Sequence, residues 1–199
     1  MTLSTWIVNN TTMNLNIPNI LTLFRIALIP VFVVVFFVAL FDYNNVLLAS
    51  IYFIAGITDW FDGYLARKWN QQSAFGAFLD PVADKLMVTV ALVLLVSAHP
   101  GALMALPAAI IVGREITISA LREWMANVGD VAAVKVSLVG KFKTAAQMWA
   151  VGFLLFEKNL GWLPTMTVGY ILLYISAALT LWSMVVYLKA AWPSLHSED

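Results

Sequence analysis

The chain has 199 residues, of which 62% are hydrophobic and 11% charged, and its mean hydropathy is +0.87. A soluble domain is about 25% charged, and no soluble fold of this length could bury so much apolar surface, so lipid must surround much of the chain. Zero net charge argues against nucleic acid as a partner, and the absence of cysteine excludes disulfides, thiolate catalysis and Cys-ligated zinc.

Six apolar segments follow one another along the chain, and each is about as long as the twenty residues that a membrane span requires. Pro18 and Asn19 suit the start of the first helix. The sequence therefore predicts an all-α integral membrane protein, a six-transmembrane-helix bundle with spans at 19–41, 46–67, 78–98, 102–126, 136–156 and 165–189. The membrane domain is placed at 14–192, after an N-terminal extension or juxtamembrane segment (1–13) and before a C-terminal tail (193–199).

The distribution of positive charge predicts the orientation of these spans. Lysine and arginine gather at the end of the second span, around the start of the fifth and at the end of the sixth, whereas residues 42–45 and 99–101 contain neither. Because cytoplasmic loops carry the excess of lysine and arginine, both termini are expected in the cytoplasm. No internal repeat is evident, which disfavours a transporter built from duplicated halves.

Four carboxylates lie at the facing ends of the second and third spans. Asp59 and Asp62 are three residues apart, and Asp80 and Asp84 are four apart, so each pair shares one helix face. The linker between these spans is short, which brings all four acids together. Like charges at close range require protonation or a cation, and hard oxygen ligands suit Mg²⁺, Mn²⁺ or Ca²⁺. A structural ion-pair cluster and the cation pathway of a transporter are the alternative interpretations.

Small and basic residues accompany the acids in a way that suits phosphate. Gly63 allows close approach of a ligand to the backbone, Ala66 keeps the same face open, and Arg67 offers a forked donor for phosphate oxygens. Gly76 relieves crowding near the third span. Since phosphoryl chemistry commonly uses one or two divalent ions, this segment predicts a phosphoryl-transfer site at the membrane boundary.

The fourth and fifth spans carry a second group of charges, which are basic. Arg114 and Arg122 are eight residues apart and lie near one helical face, and a phosphate on the acceptor substrate is a candidate ligand for them. Their expected companions across the next turn are Lys135, Lys141 and Lys143. For each lysine the alternative is a topogenic residue without a ligand.

Two other charged residues within the spans have an expected role. Glu115 is expected to orient a basic neighbour as its ion-pair partner rather than to act as a catalyst. Arg25 has three possible roles: pairing with the acidic cluster, contacting the donor substrate, or anchoring the first helix.

The acidic segment as a whole resembles the full signature of the CDP-alcohol phosphatidyltransferase family. The matching pattern is Asp59-x₂-Asp62-Gly63-x₂-Ala66-Arg67-x₈-Gly76-x₃-Asp80-x₃-Asp84. The runs 16–25, 58–63, 75–85, 114–124 and 140–147 resemble the branch of that family that uses glycerol 3-phosphate as acceptor. The resemblance extends over nearly the whole chain from about residue 13.

The resemblance implies a six-helix bundle, often a homodimer, with a polar cavity open to the cytoplasm. It implies transfer of the phosphatidyl group from CDP-diacylglycerol to sn-glycerol 3-phosphate, giving phosphatidylglycerol phosphate and CMP during phospholipid biosynthesis. The expected location is the bacterial cytoplasmic membrane, in contact with membrane lipids. A cardiolipin synthase of the same fold is the alternative within the family, and a cation or solute transporter is the alternative from another class.

The resemblance also implies residue roles. The four aspartates are expected to bind two Mg²⁺ or Mn²⁺ ions, with Asp84 also acting as general base on the acceptor hydroxyl. The expected contacts to CDP-diacylglycerol are Asn19, Gly63, Ala66, Arg67, Ser73 and Gly76. The expected contacts to the acceptor phosphate are Arg114, Arg122, Lys135, Lys141 and Lys143.

Overall fold

The computed structural model describes residues 17–38, 44–68, 74–128 and 138–195. Within those ranges the description does not extend to the side chains at 17, 18, 60, 62–68, 74, 75, 77, 78, 80, 81, 126–128, 138–141, 190, 191 and 193–195. Six long helices account for most of the described chain: α1 (Ile17–Val38), α2 (Asn44–Lys68), α3 (Ala74–Ala98), α4 (Ala102–Val128), α5 (Leu138–Phe156) and α6 (Thr165–Leu195). The prediction of an all-α chain with six helices is confirmed.

The part of the chain that the structure describes contains apolar stretches of membrane-spanning length. Three contain a described stretch that is long and apolar enough to cross a membrane: Asn19–Val38 in α1, Ala102–Met125 in α4 and Thr165–Lys189 in α6. Among the described side chains, the apolar stretch of α5 covers Phe142–Phe156. Membrane crossing by α2, α3 and α5 therefore remains a prediction.

Contacts between α1 and α2 show that these two helices run in opposite directions. Asn44, at the start of α2, donates to the carbonyl oxygen of Val35 near the end of α1 at 2.9 Å, and Arg25 in the first half of α1 contacts Asp59 in the second half of α2. Lys143, in the first half of α5, contacts Glu115 at the middle of α4. We call the end of the bundle that contains Arg25, Asp59, Arg114, Glu115 and Lys143 the charged end.

The opposite end, which we call the clasp end, is defined by Asn45, His99 and Glu157. Glu157 accepts a hydrogen bond from Asn45 Nδ2 at 2.7 Å on one carboxylate oxygen, and its other oxygen lies 2.9 Å from His99 Nε2. Glu157 follows the last residue of α5 and has a φ of 58°, the left-handed conformation that often ends a helix. One carboxylate thus joins the start of α2 and the ends of α3 and α5.

An apolar core fills the bundle between the two ends. Gly152 of α5 faces Phe53 of α2 so closely that a Cβ atom there would lie 2.3 Å from the ring. Gly169 of α6 is similarly close to Leu154. Small residues at such contacts let helices approach closely in lipid, where dispersion contacts replace the hydrophobic effect as the attraction between helices. The largest apolar side chains that are fully buried are Phe32, Leu92, Leu95, Met104, Ile111, Val151, Leu154 and Leu173.

Candidate active site

A buried polar stripe on α1 forms one wall of the charged end. Asn19, Thr22 and Arg25 are three residues apart in turn, and each is at most 3% exposed although the rest of α1 is largely apolar. Residues at this spacing lie near one helix face, so the stripe points into the bundle. Sequence reasoning missed Thr22. The signal that identifies it is the recurrence of polar residues every three positions within an apolar helix.

Arg25 pairs with the first aspartate of the acidic segment. Its NH1 donates to Asp59 Oδ1 at 2.6 Å, and the arginine side chain is 2% exposed while that of Asp59 is 38% exposed. Of the three roles considered for Arg25, the structure shows pairing with the acidic cluster. A guanidinium buried to this degree requires such a partner, because an uncompensated charge in the interior is costly.

The structure describes the side chains of two of the four aspartates, Asp59 and Asp84. Asp84 is exposed on α3. The contact of Asp59 with Arg25 uses Oδ1, and the carboxylate has a second oxygen. Carboxylate oxygens are the ligands that Mg²⁺ and Mn²⁺ prefer, so these donors fit such ions. The side chains of Asp62 and Asp80 lie outside the described residues, and the described part of the chain contains no group of three or more acidic, histidine or cysteine side chains placed to hold a metal. The four-aspartate metal site stays a prediction.

Two of the predicted donor-substrate contacts are described. Asn19 and Gly76 are both buried, near the start of α1 and in the first turn of α3, and both therefore lie at the charged end. The remaining predicted donor contacts lie outside the described side chains: Gly63, Ala66, Arg67 and Ser73.

Two basic residues predicted to bind the acceptor come together on one carboxylate oxygen. Arg114 NH1 lies 2.5 Å and Lys143 Nζ 3.3 Å from Oε1 of Glu115. The side chains of Arg114 and Lys143 are 10% and 7% exposed, and that of Glu115 is 22% exposed. Burial lowers the local dielectric and strengthens this attraction. The geometry is that of Glu115 orienting its basic neighbours, as the sequence predicted.

The described hydrogen-bond partner of Arg122 is different from that of Arg114 and Lys143. Its NH2 donates to the hydroxyl of Tyr187 at 3.1 Å, and its guanidinium lies 5.3 Å from the centre of the same ring. Arg122 is exposed two turns beyond Glu115 on α4. Sequence reasoning missed Tyr187, since no local pattern links residues 65 positions apart. The side chains of Lys135 and Lys141 lie outside the described residues.

A further hydrogen-bonded pair connects the acidic and basic parts of the charged end. Lys85 Nζ donates to Ser119 Oγ, which in turn donates to the backbone carbonyl oxygen of Glu115 at 2.6 Å. Lys85 follows Asp84 on α3, and Ser119 lies one turn beyond Glu115 on α4. Sequence reasoning gave Lys85 no role in the site.

Comparison with known proteins links this arrangement to an enzyme family. The family model described as CDP-alcohol phosphatidyltransferase matches residues 15–182. A protein of Salmonella typhimurium (strain LT2) named CDP-diacylglycerol–glycerol-3-phosphate 3-phosphatidyltransferase is 53% identical over 179 residues, which cover 90% of this chain and 96% of the relative. The protein of the same name from Escherichia coli (strain K12) is 51% identical over 179 residues, which again cover 90% of this chain and 96% of the relative.

Proposed function

Because the chain belongs to the CDP-alcohol phosphatidyltransferase family, we propose that it transfers the phosphatidyl group from CDP-diacylglycerol to sn-glycerol 3-phosphate. The products are phosphatidylglycerol phosphate and CMP, and the process is phospholipid biosynthesis. The observation that carries the choice of acceptor is the buried pair of cations, Arg114 and Lys143, at the same end of the bundle as Asp59 and Asp84. The names of the relatives support the same acceptor.

The cation pair favours an acceptor that carries a compact phosphate. Two cations held 2.5 Å and 3.3 Å from one oxygen converge on a volume suited to a small, highly charged anion. Serine and inositol carry no phosphate, so neither of these acceptors would require two buried cations. Phosphatidylglycerol, the acceptor of the cardiolipin synthase alternative, has a monoanionic diester that is flanked by acyl chains and needs a wider, lipid-accessible site.

The proposed donor site uses the four aspartates and two Mg²⁺ or Mn²⁺ ions. Asp59, Asp62, Asp80 and Asp84 would hold the ions, which when bound would offset the charge of the diphosphate and stabilise CMP as leaving group. Asp84 accepts the proton of the acceptor hydroxyl. The resulting oxygen attacks the phosphorus that bears diacylglycerol, and the bond from this phosphorus to the oxygen of CMP breaks. Arg114 and Lys143 hold the acceptor phosphate and so orient the hydroxyl.

The proposed topology has all six helices crossing the bacterial cytoplasmic membrane, with the charged end and both termini in the cytoplasm. The bias of lysine and arginine toward the connections at this end supports the orientation. A site at the membrane boundary lets CDP-diacylglycerol arrive from the bilayer and glycerol 3-phosphate from water. A homodimer is part of the same proposal, by analogy with the family.

The test is CMP release by the purified protein in detergent with CDP-diacylglycerol and Mg²⁺ or Mn²⁺. Glycerol 3-phosphate is compared with phosphatidylglycerol, serine and inositol, and EDTA is the metal-free control. Release that requires both glycerol 3-phosphate and the metal is the expected result. Release only with phosphatidylglycerol identifies the cardiolipin synthase alternative. Folded protein that releases no CMP but moves solute across sealed vesicles contradicts the enzyme and indicates a transporter.

A further inference from the structure

Lys85 has an unusual environment for a lysine in an apolar bundle. It is half-buried at the middle of α3, and in the part of the chain that the structure describes its hydrogen-bond partner is the hydroxyl of Ser119 on the neighbouring helix α4. A topogenic lysine normally extends toward water or lipid headgroups. Lys85 instead reaches sideways to a second helix. Burying an ammonium group costs free energy, so this contact requires a reason beyond membrane orientation.

Ser119 is fixed by two hydrogen bonds in opposite roles. Its hydroxyl oxygen accepts a hydrogen bond from Lys85, and its O–H donates one to the backbone carbonyl oxygen of Glu115, one turn earlier, at 2.6 Å. The bond to the preceding turn sets the rotamer of Ser119 and so the direction in which it receives the lysine. A continuous connection thus runs from α3 through Ser119 to Glu115, whose carboxylate holds Lys143 of α5.

We propose that Lys85 and Ser119 are positioning residues that fix the helix of Asp84 against the helix that carries the acceptor-binding cations. This inference rests on the proposed function, since it assigns a role within that reaction. In glycerol 3-phosphate the reacting hydroxyl and the phosphate are joined by a short carbon chain. The proton acceptor on α3 and the cations on α4 and α5 must therefore keep a matching separation. A misplacement of about 1 Å can cost about a hundredfold in rate.

The chain offers a matched control for the removal of Ser119. Thr117 lies on the same helix and donates the same kind of bond to the carbonyl oxygen four residues earlier, that of Gly113, at 2.8 Å. Thr117 is exposed and, among the described residues, its hydroxyl bonds to no second helix. Ser119→Ala and Thr117→Ala therefore remove equivalent local bonds, and only the first removes the contact with Lys85.

The first experiment measures KM and kcat for both substrates with the full-length protein. We expect Ser119→Ala to lower kcat about fivefold or more and to raise the KM for glycerol 3-phosphate by a similar factor, because a misplaced phosphate binds less well and holds the hydroxyl away from Asp84. The KM for CDP-diacylglycerol should stay within about twofold. Thr117→Ala should leave both within about twofold, and Ser119→Thr, which keeps the hydroxyl, should restore most of the wild-type value. Equal effects of Ser119→Ala and Thr117→Ala would overturn the proposal.

A double-mutant cycle tests whether the two residues act through one bond. Lys85→Met keeps the length of the side chain and removes the charge. If the contact is the cause, adding Ser119→Ala to Lys85→Met should change the KM for glycerol 3-phosphate by less than about twofold. If the effects of the two single substitutions multiply in the double variant, the two residues do not act through one bond. Should Lys85→Met fail to fold, the set Ser119→Ala, Ser119→Thr and Thr117→Ala still decides the question.

The outcomes separate this inference from the proposed function. Wild-type turnover with an unchanged KM in Ser119→Ala overturns the positioning role alone. Wild-type turnover only with a different acceptor overturns the choice of glycerol 3-phosphate, and the same variants measured with that acceptor then decide the role of Lys85. Absence of CMP release with every acceptor overturns both proposals. Binding of glycerol 3-phosphate measured by calorimetry supplies a readout that needs no turnover, and its affinity should fall in Ser119→Ala by the same factor as the KM rises.

Discussion

Two glutamates at opposite ends of the bundle each join two other side chains, but in different surroundings. Glu115, at the charged end, holds Arg114 and Lys143, whose side chains are at most 10% exposed. Glu157, at the clasp end, holds Asn45 and His99, and its side chain is 37% exposed. The first carboxylate neutralises charge in a low-dielectric interior, whereas the second connects helix ends in contact with solvent.

If the proposed acceptor site is correct, one of these polar clusters serves binding and the other serves connection, and burial distinguishes the two. Exposed ion pairs contribute about 0–1 kcal/mol to stability. A buried pair is costly to form and more costly to break. A buried excess of cations therefore suggests that a ligand contributes to the arrangement. The following substitutions test this contrast.

The largest expected effect comes from the acidic part of the charged end. Asp84→Asn should reduce CMP release about a hundredfold or more, because the amide cannot accept the proton of the acceptor hydroxyl and is a weaker metal ligand. Asp84 is exposed, so folding should be unaffected. Initial rates of CMP release at saturating metal and substrates measure the effect. Near-normal turnover in the variant would exclude Asp84 as the general base.

Glu115→Gln should cause the largest loss of stability. Removing this carboxylate leaves Arg114 and Lys143 buried without their counter-ion, which should cost about 3 kcal/mol. Thermal unfolding in detergent measures the loss. Glycerol 3-phosphate should raise the melting temperature of the variant by more than that of the wild-type protein, because its phosphate supplies the missing negative charge. Equal stabilisation of the two proteins would argue against phosphate binding at this pair.

The apolar region between the two ends should respond through packing alone. Gly152→Ala places a Cβ atom 2.3 Å from the ring of Phe53, so it should lower stability by about 1–3 kcal/mol. Gly113→Ala is the matched control, because the space around Gly113 is open and alanine favours a helix by about 1 kcal/mol over glycine. Thermal unfolding of both variants measures the difference. A stabilised Gly152→Ala would mean that the α2–α5 contact is looser than described.

The smallest effect is expected at the clasp end. Glu157→Gln keeps the shape of the side chain and weakens its contact with His99, which should cost less than about 1 kcal/mol because the site is partly exposed. CMP release should stay within about twofold of the wild-type rate. A loss of turnover comparable with that of Asp84→Asn would show that the two ends are coupled, and the contrast drawn between them would then be wrong.

The sequence predicts the helices and the acidic signature because both depend on residues close together in the chain. Apolar segments separated by polar connections define the six helices, and spacings of three and four place Asp59 with Asp62 and Asp80 with Asp84. Helix ends are less accurate. For example, α3 begins at Ala74, four residues before the apolar stretch from which the third span was predicted. Hydropathy detects where a helix becomes apolar, which differs from where it begins.

Contacts between helices are the part that the sequence did not reveal. The partners Lys85 and Ser119 are 34 residues apart, and Arg122 and Tyr187 are 65 apart. Pairing across such distances depends on how far each helix is shifted and rotated against its neighbour, and packing of the whole bundle determines this. For this reason the sequence predicted a basic group that includes Arg122 but did not predict the contact of this side chain with the ring of Tyr187.

If the proposed acceptor site is correct, the sharing of one Glu115 oxygen by two cations determines which anions can enter it. Because Oε1 lies between Arg114 and Lys143, an incoming anion must exchange with a carboxylate rather than occupy a vacant positive site. The free energy of anion binding is then the difference between two interactions with the cations, that of the incoming anion and that of the Glu115 carboxylate. Chloride, which carries a single charge, gains little from such an exchange, whereas a phosphate dianion gains more. In such a site the internal carboxylate would disfavour binding of the abundant monovalent anions of the cell.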